Sequence, residues 1–169
     1  MKSLRSLAFA AVLLAAACAR SAAETSVQSV PDADLQAMLT QYAEAAALFY
    51  NGDPKAVKAL WSHADDVTLS GAAGGATAKG WSNVGARLDW ASAQFLDSNG
   101  SKTLEQIQTV VVGDFAYIVQ YEHIRYHPRG QKEVAQRDYR VTTIFRREPQ
   151  GWRVVHRHAD TLMARQEIR

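Results

Sequence analysis

The chain has one cysteine, Cys18, so no intrachain disulfide can form and the fold must be held by its core alone. It has no strong excess of one charge. The 19 basic and 17 acidic residues leave +2. Removing residues 1–23 takes away Lys2, Arg5 and Arg20 and no acid, leaving 16 basic and 17 acidic residues and a net −1. That near-neutral balance argues against a general nucleic-acid binder. No internal repeat is visible, and no apolar run is long enough to span a bilayer as a mature helix. The glycine-rich segment Gly71-Ala-Ala-Gly-Gly75 lacks the Gly-Lys-Ser/Thr ending of a phosphate loop and reads as a flexible loop.

The N-terminus reads as an export signal. Lys2 and Arg5 form a positive start, and Leu7 to Ala17 is a short apolar run. Ser21-Ala22-Ala23 is a small-residue cleavage site that would release a chain starting at Glu24. Alternatively, Ala15-Ala16-Ala17-Cys18 is a weak lipobox, with its leucine, Leu14, one position early. The expected location is periplasmic or secreted, or lipid-anchored in a bacterial envelope through Cys18. Palmitate labelling distinguishes the two. Residues 24–30 are expected to be a short tether, 31–163 one domain and 164–169 a C-terminal tail. About 145 residues suffice for a single core.

Pro31 and Asp32 open a helix carrying the stripe Leu35, Met38, Leu39, Tyr42, Ala46, Phe49. Asn51-Gly52 stops it, and Asp53-Pro54 starts a second helix that runs to about Trp61. Val67–Ser70 is a short strand. A third helix follows over Trp81, Val84, Leu88, Ala91 and Phe95, and Asp97-Ser-Asn-Gly100 ends it. The period then changes to two. Residues 103–112, 115–127, 133–147 and 152–160 read as four strands joined by short turns, an antiparallel meander. Helices before strands make the class α+β. A curved sheet wrapped on three helices encloses a cone, a common place for a ligand pocket.

Strand alternation places Trp152, Val154, His156, His158 and Asp160 on one side of the last strand. A histidine there could act as acid or base, with Asp160 to orient it. Arg140 and Thr142 share a face of the preceding strand. An inward Arg140 would bind a carboxylate or enolate, or else pair with Glu122 or Asp160. Phe115, Tyr117, Val119, Tyr121 and His123 share one face of the second strand, Ala116, Ile118, Gln120 and Glu122 the other; which is inward stays open. Tyr117, Tyr121, His123, Trp81 and Thr142 are candidate ligand contacts. Trp61, Trp81 and Trp90 suit core or pocket rim. Arg146, Arg147, Arg153 and Arg157 suit a solvated outer face or a dimer interface. Asp65-Asp66 suits a turn. His156 and His158, with His123 or His127, form only a weak candidate metal set, so no metal and no cofactor are expected.

Several stretches carry a family resemblance: His63-Ala-Asp-Asp-Val-Thr-Leu-Ser70, Lys79-Gly-Trp81, Asp114-Phe-Ala-Tyr117, Arg140-Val-Thr142 and Trp152-Arg-Val-Val-His-Arg-His158. With the element order they resemble the SnoaL-like, ketosteroid-isomerase-homologue branch of the nuclear-transport-factor-2-like superfamily, over roughly residues 32–163. The resemblance implies a cone-shaped fold, three N-terminal helices on a curved, mostly antiparallel sheet, and a homodimer through the open sheet face. It does not carry over the steroid-isomerase reaction. The position of that family's proton-shuttling aspartate falls on Gly71, and its oxyanion-holding tyrosine on Ala45; Tyr42 lies nearly a turn away as a possible substitute. The expected function is binding of a small, partly apolar organic molecule. The alternatives are a general acid–base enzyme (isomerase, dehydratase or hydrolase) using His156, His158, Asp160 and Arg140, and a non-enzymatic accessory or assembly domain. No nucleic acid partner is expected, and membrane contact only through lipid on Cys18.

Overall fold

A computed structural model describes residues 32–95, 100–128, 130–161, 163–165 and 167. The proposed signal, lipobox and tether, residues 97–99 of the Asp97–Gly100 stop, and half of the tail lie outside the described residues. No described helix is long and apolar enough to cross a membrane.

Helix α1 spans Ala33–Phe49. The Asp32 carboxylate caps it, accepting from the Leu35 N–H at 2.9 Å. Leu35, Met38, Tyr42, Ala45 and Ala46 form its buried stripe. Gly52, at φ 95°, turns the chain in the left-handed region that glycine tolerates. Helix α2, Lys55–Leu60, follows at once. Asp53 accepts from the Lys55 N–H at 3.0 Å, and Pro54 supplies the fixed φ of a helix start. Strands β1 (Thr68–Ser70) and β2 (Ala78–Lys79) form a small antiparallel pair. Helix α3 runs Trp81–Ser92 and tightens into a 3₁₀ turn at Ala93–Phe95.

The meander is present as β3 (Ser101–Val112), β4 (Phe115–Tyr126), β5 (Ala135–Glu148) and β6 (Gly151–Asp160). The six-stranded sheet has the order β2-β1-β6-β5-β4-β3. Among the described strands, β1 and β6 alone pair in parallel. The fold is α+β, as the element order implies. The two-residue β2 and the parallel pairing of β1 on β6 go beyond the sequence expectation, because short strands carry little periodic signal.

Two buried clusters fill the space between helices and sheet. One centres on Leu35, Trp61, Val67, Val84, Phe145 and Val154. The other joins Ala46, Tyr50 and Phe95 to Ile124, Tyr126, Tyr139 and Val141. The inward face of β4 is therefore Ala116, Ile118, Gln120, Glu122 and Ile124, all buried.

A β-bulge sets the direction of the last strand. Phe145 pairs with Val154, but Ile144 pairs with His156, so Val155 is an extra residue on β6. Before it, even-numbered Trp152 and Val154 are buried. After it, odd-numbered Arg157 and Ala159 face inward, opposite Thr143 and Val141. The unbroken alternation expected over Trp152–Asp160 is thus corrected: one inserted residue turns its second half over.

Candidate functional site

A cavity of about 420 Å³ opens between α1, α3 and the inward face of the sheet. That size lies within the usual range of small-molecule sites. Its walls include Ala46, Phe49, Leu69, Leu88, Phe95 and Tyr126. Trp90, Gln94, Ala73 and Arg137 are exposed lining residues and define the mouth. Its closed end is polar, made by Tyr42, Tyr50, Lys102, Glu122 and Arg157.

Glu122 is the hub of that end. It is 1 % exposed and projects from β4 among apolar neighbours. Its Oε1 accepts from Gln120 Nε2 at 2.9 Å. Its Oε2 accepts from Arg157 Nη2 at 3.0 Å and from the Tyr50 hydroxyl at 3.2 Å. Lys102 Nζ lies 3.8 Å from Oε1. Burial by itself would push this carboxyl up, but Arg157, Lys102 and the hydrogen bonds from Gln120 and Tyr50 hold it below the usual carboxylate range. A carboxylate so saturated serves as a fixed anchor rather than a free base.

The groups around it take complementary states. Burial works against the Arg157 charge, yet Glu122 and the phenols Tyr42 and Tyr50 hold its pKa above the usual value. Burial raises the Tyr42 and Tyr50 phenols, so both stay neutral donors. Burial also lowers the Lys102 ammonium, which Glu122 offsets only in part. That ammonium sits over the rings of Tyr42 and Tyr50, 5.7 and 5.9 Å from their centres. Phe145 meets Tyr42 edge-on at 6.1 Å and fixes its ring.

The residues expected to wall the cone lie on the other side of the sheet. His156, His158 and Asp160 turn outward because of the bulge at Val155. Arg140, Thr142, Tyr117, Tyr121 and His123 occupy the opposite faces of β5 and β4 from the buried Val141, Thr143 and Glu122. The structure does bring His158, Asp160, Arg140, Thr142 and Tyr121 together, in a shallow outer depression of about 270 Å³. There Arg140 Nε donates to Asp160 Oδ1 at 2.9 Å, the ion-pair alternative for this arginine. His156 bonds Thr68 Oγ1 at 2.7 Å, and burial followed by the charge of His158 lowers its pKa. His123 stands apart, bonded to Asp138 at 2.8 Å, which raises its pKa. Trp81 does not line the cavity; it stacks on His63 at 3.8 Å. Among the described residues no three His, Cys, Asp or Glu side chains are grouped to hold a metal ion.

Arg157 reverses its expected place, turning inward from the supposed outer row. Lys102 and Tyr50 carried no sequence signal of function. Glu122 did: it is an acid within the alternating row Ala116, Ile118, Gln120, Ile124. Gly71 lines the cavity, Ala45 is buried in the core, and Tyr42 lines the closed end. Asp66 sits in a turn and pairs with Arg146 at 2.5 Å.

Comparison with known proteins agrees with this fold. A SnoaL-like domain family matches residues 35–163. A candidate dehydratase of the NTF2-like family from Streptomyces avermitilis is similar, with a TM-score of 0.66 and 22% identity over 80% of this chain and 100% of that one. An NTF2-like superfamily protein from Salmonella enterica scores 0.64, at 18% identity over 80% and 93%. The CaMKII hub of S. rosetta scores 0.57, at 20% identity over 79% and 98%. Similarity at this level establishes the fold and leaves the reaction open. Comparison with curated proteins finds no match.

Proposed function

The chain belongs to the SnoaL-like domain family, and from that premise we propose that its cone binds a small, partly apolar organic molecule. The observation that carries the reading is the 420 Å³ cavity with apolar walls and a polar closed end. Gly71 offers a direct test. It lines the cavity, and a Cβ built there meets no atom within 4 Å. Gly71→Phe is expected to weaken binding of a neutral aromatic probe, naphthamide, at least tenfold, followed through the fluorescence of Trp90 at the mouth. The melting temperature should stay within about 2 °C, since no core group is displaced. Unchanged affinity would put binding elsewhere.

A second reading keeps acid–base chemistry but moves it. No described histidine lines the cavity. A reaction in the cone would therefore fall to Lys102 and Tyr42, cavity-lining groups whose protonation burial perturbs.

The outer sheet face supports association of two copies. Ile107, Val112, Phe115 and Tyr117 are between 39% and 50% exposed there, and Val112 and Phe115 are paired neighbours on β3 and β4. Phe115→Glu is expected to weaken the homodimer at least tenfold, seen as a shift to monomer in sedimentation. A wild-type chain that sediments as a monomer at micromolar concentration removes this part of the proposal. Export by residues 1–23 would place the pocket in the periplasm or outside the cell, with lipid on Cys18 as the alternative.

A further inference from the structure

We propose that the molecule bound in the cone carries a carboxylate, seated at the closed end against Lys102, with its apolar body extending toward Trp90. This rests on the reading that the cone binds a small molecule and adds its chemical class.

The first argument is charge. The cavity is lined by Lys102, Arg157, Arg87 and Arg137, and by one carboxylate, Glu122. Glu122 is already taken, with Arg157, Tyr50 and Gln120 on its two oxygens. The cavity therefore keeps an excess of positive charge inside low-dielectric walls, which focuses the field on an entering anion.

The second argument is the state of Lys102 itself. Its side chain is 4% exposed and faces the cavity. The nearest carboxylate oxygen, at 3.8 Å, balances part of its charge but lies beyond normal hydrogen-bond reach. The rings of Tyr42 and Tyr50 offer π-faces, which attract a cation but accept no strong hydrogen bond. An ammonium has three donors, and leaving them unmet in a buried place is costly. A carboxylate entering the cone supplies both the acceptors and the missing charge, and the neutral Tyr42 phenol can donate to it. One anionic head and an apolar body match one under-satisfied cation and apolar walls. At the closed end Lys102 is the one cation without a hydrogen-bonded carboxylate among the described lining residues, so the second negative charge of a phosphate would find no cation there.

The test uses a matched pair of probes, naphthoate and naphthamide, alike in shape and different in charge, with naphthyl phosphate as a third arm. Calorimetric titration of the full chain is expected to show naphthoate bound at least tenfold more tightly than naphthamide. In Lys102→Met that preference should fall below about twofold, with near-ultraviolet circular dichroism and melting temperature checking that the fold is intact. Lys102→Arg should restore it. Equal or better binding of naphthamide by the wild type overturns the carboxylate while leaving the cone as a binding site. The carboxylate is overturned in the same way if naphthyl phosphate binds more tightly than naphthoate, or if Lys102→Met keeps the preference. Failure of all three probes to bind overturns the underlying reading and this one with it.

Discussion

Glu122→Leu is expected to lower the free energy of unfolding by about 3–5 kcal/mol, the range for breaking a buried ion pair by removing one partner. The leucine fills the space, but Arg157 loses its 3.0 Å acceptor and Lys102 the negative charge beside it. Tyr50 and Gln120 lose their shared acceptor as well. For a domain of this size the melting temperature should fall by roughly 10 °C. Glu122→Gln should cost less, about 1–3 kcal/mol, because the amide oxygen can still accept from Arg157. The double variant Glu122→Leu/Arg157→Met should recover part of the loss, since the Arg157 charge no longer faces an uncharged partner, while Lys102 still lacks its counter-charge. Denaturant titration of wild type, Glu122→Leu, Arg157→Met and the double variant gives the coupling directly. If Glu122→Leu unfolds within about 1 kcal/mol of wild type, Glu122 does not anchor the closed end.

The same group sets an acid limb. Its folded pKa is depressed below the ordinary value of 4.5. Its contribution to stability is therefore complete above that value and is lost as pH falls through the lower, folded one. Wild type should lose stability more steeply than Glu122→Gln below pH 4.5. Parallel curves there would mean that Glu122 is not held ionised in the folded state.

Much of this molecule is legible in its sequence, and the limit is specific. The helical stripes, the Asp32 and Asp53 caps and the change to period two all report local backbone preferences. The structure keeps them within a residue or two. Residues that touch across the fold report nothing locally. Lys102, Tyr50 and Glu122 come from β3, the end of α1 and β4, and only the packed sheet brings them to one point. Glu122 could have been singled out as an acid within an alternating apolar row. Arg157 could not, because its direction depends on a bulge that no residue type announces. The histidine row at the chain's end is real as a row, but it faces the outer side.

Insertion of one alanine directly after Val155 tests that bulge and should have the largest effect of any single change here. The bulge already absorbs one extra residue, so while it keeps that form a second one puts the two halves of β6 out of phase and forces a choice. If the first half keeps its place, Trp152 and Val154 stay inward, Arg157 and Ala159 turn out, and His156, His158 and Asp160 turn in. The cone then loses the partner of Glu122 and gains polar groups with no partners built for them. If the second half keeps its place, Trp152 and Val154, 2% and 0% exposed, are expelled from the core. Each expelled large apolar side chain costs about 1.5–3 kcal/mol in transfer alone, before the cavity left behind is counted. Straightening the bulge would keep both faces only by sliding one half along β5 onto new partners. None of these registers is good, so the expected loss exceeds about 4 kcal/mol, enough to abolish cooperative unfolding in a marginally stable domain. Deletion of Val155 is the milder change, because Val154 and His156 then follow one another in strict alternation and both halves keep their faces. Val155→Ala keeps the chain length and removes only part of one buried side chain, for about 1–3 kcal/mol. Near-ultraviolet circular dichroism and thermal melts of the insertion and the alanine variant separate the cost of lost phase from the cost of lost side-chain packing. An insertion variant that melts as sharply and as high as Val155→Ala would show that the strand can slip freely. The inward direction of Arg157 would then have to come from its pairing with Glu122 rather than from the bulge.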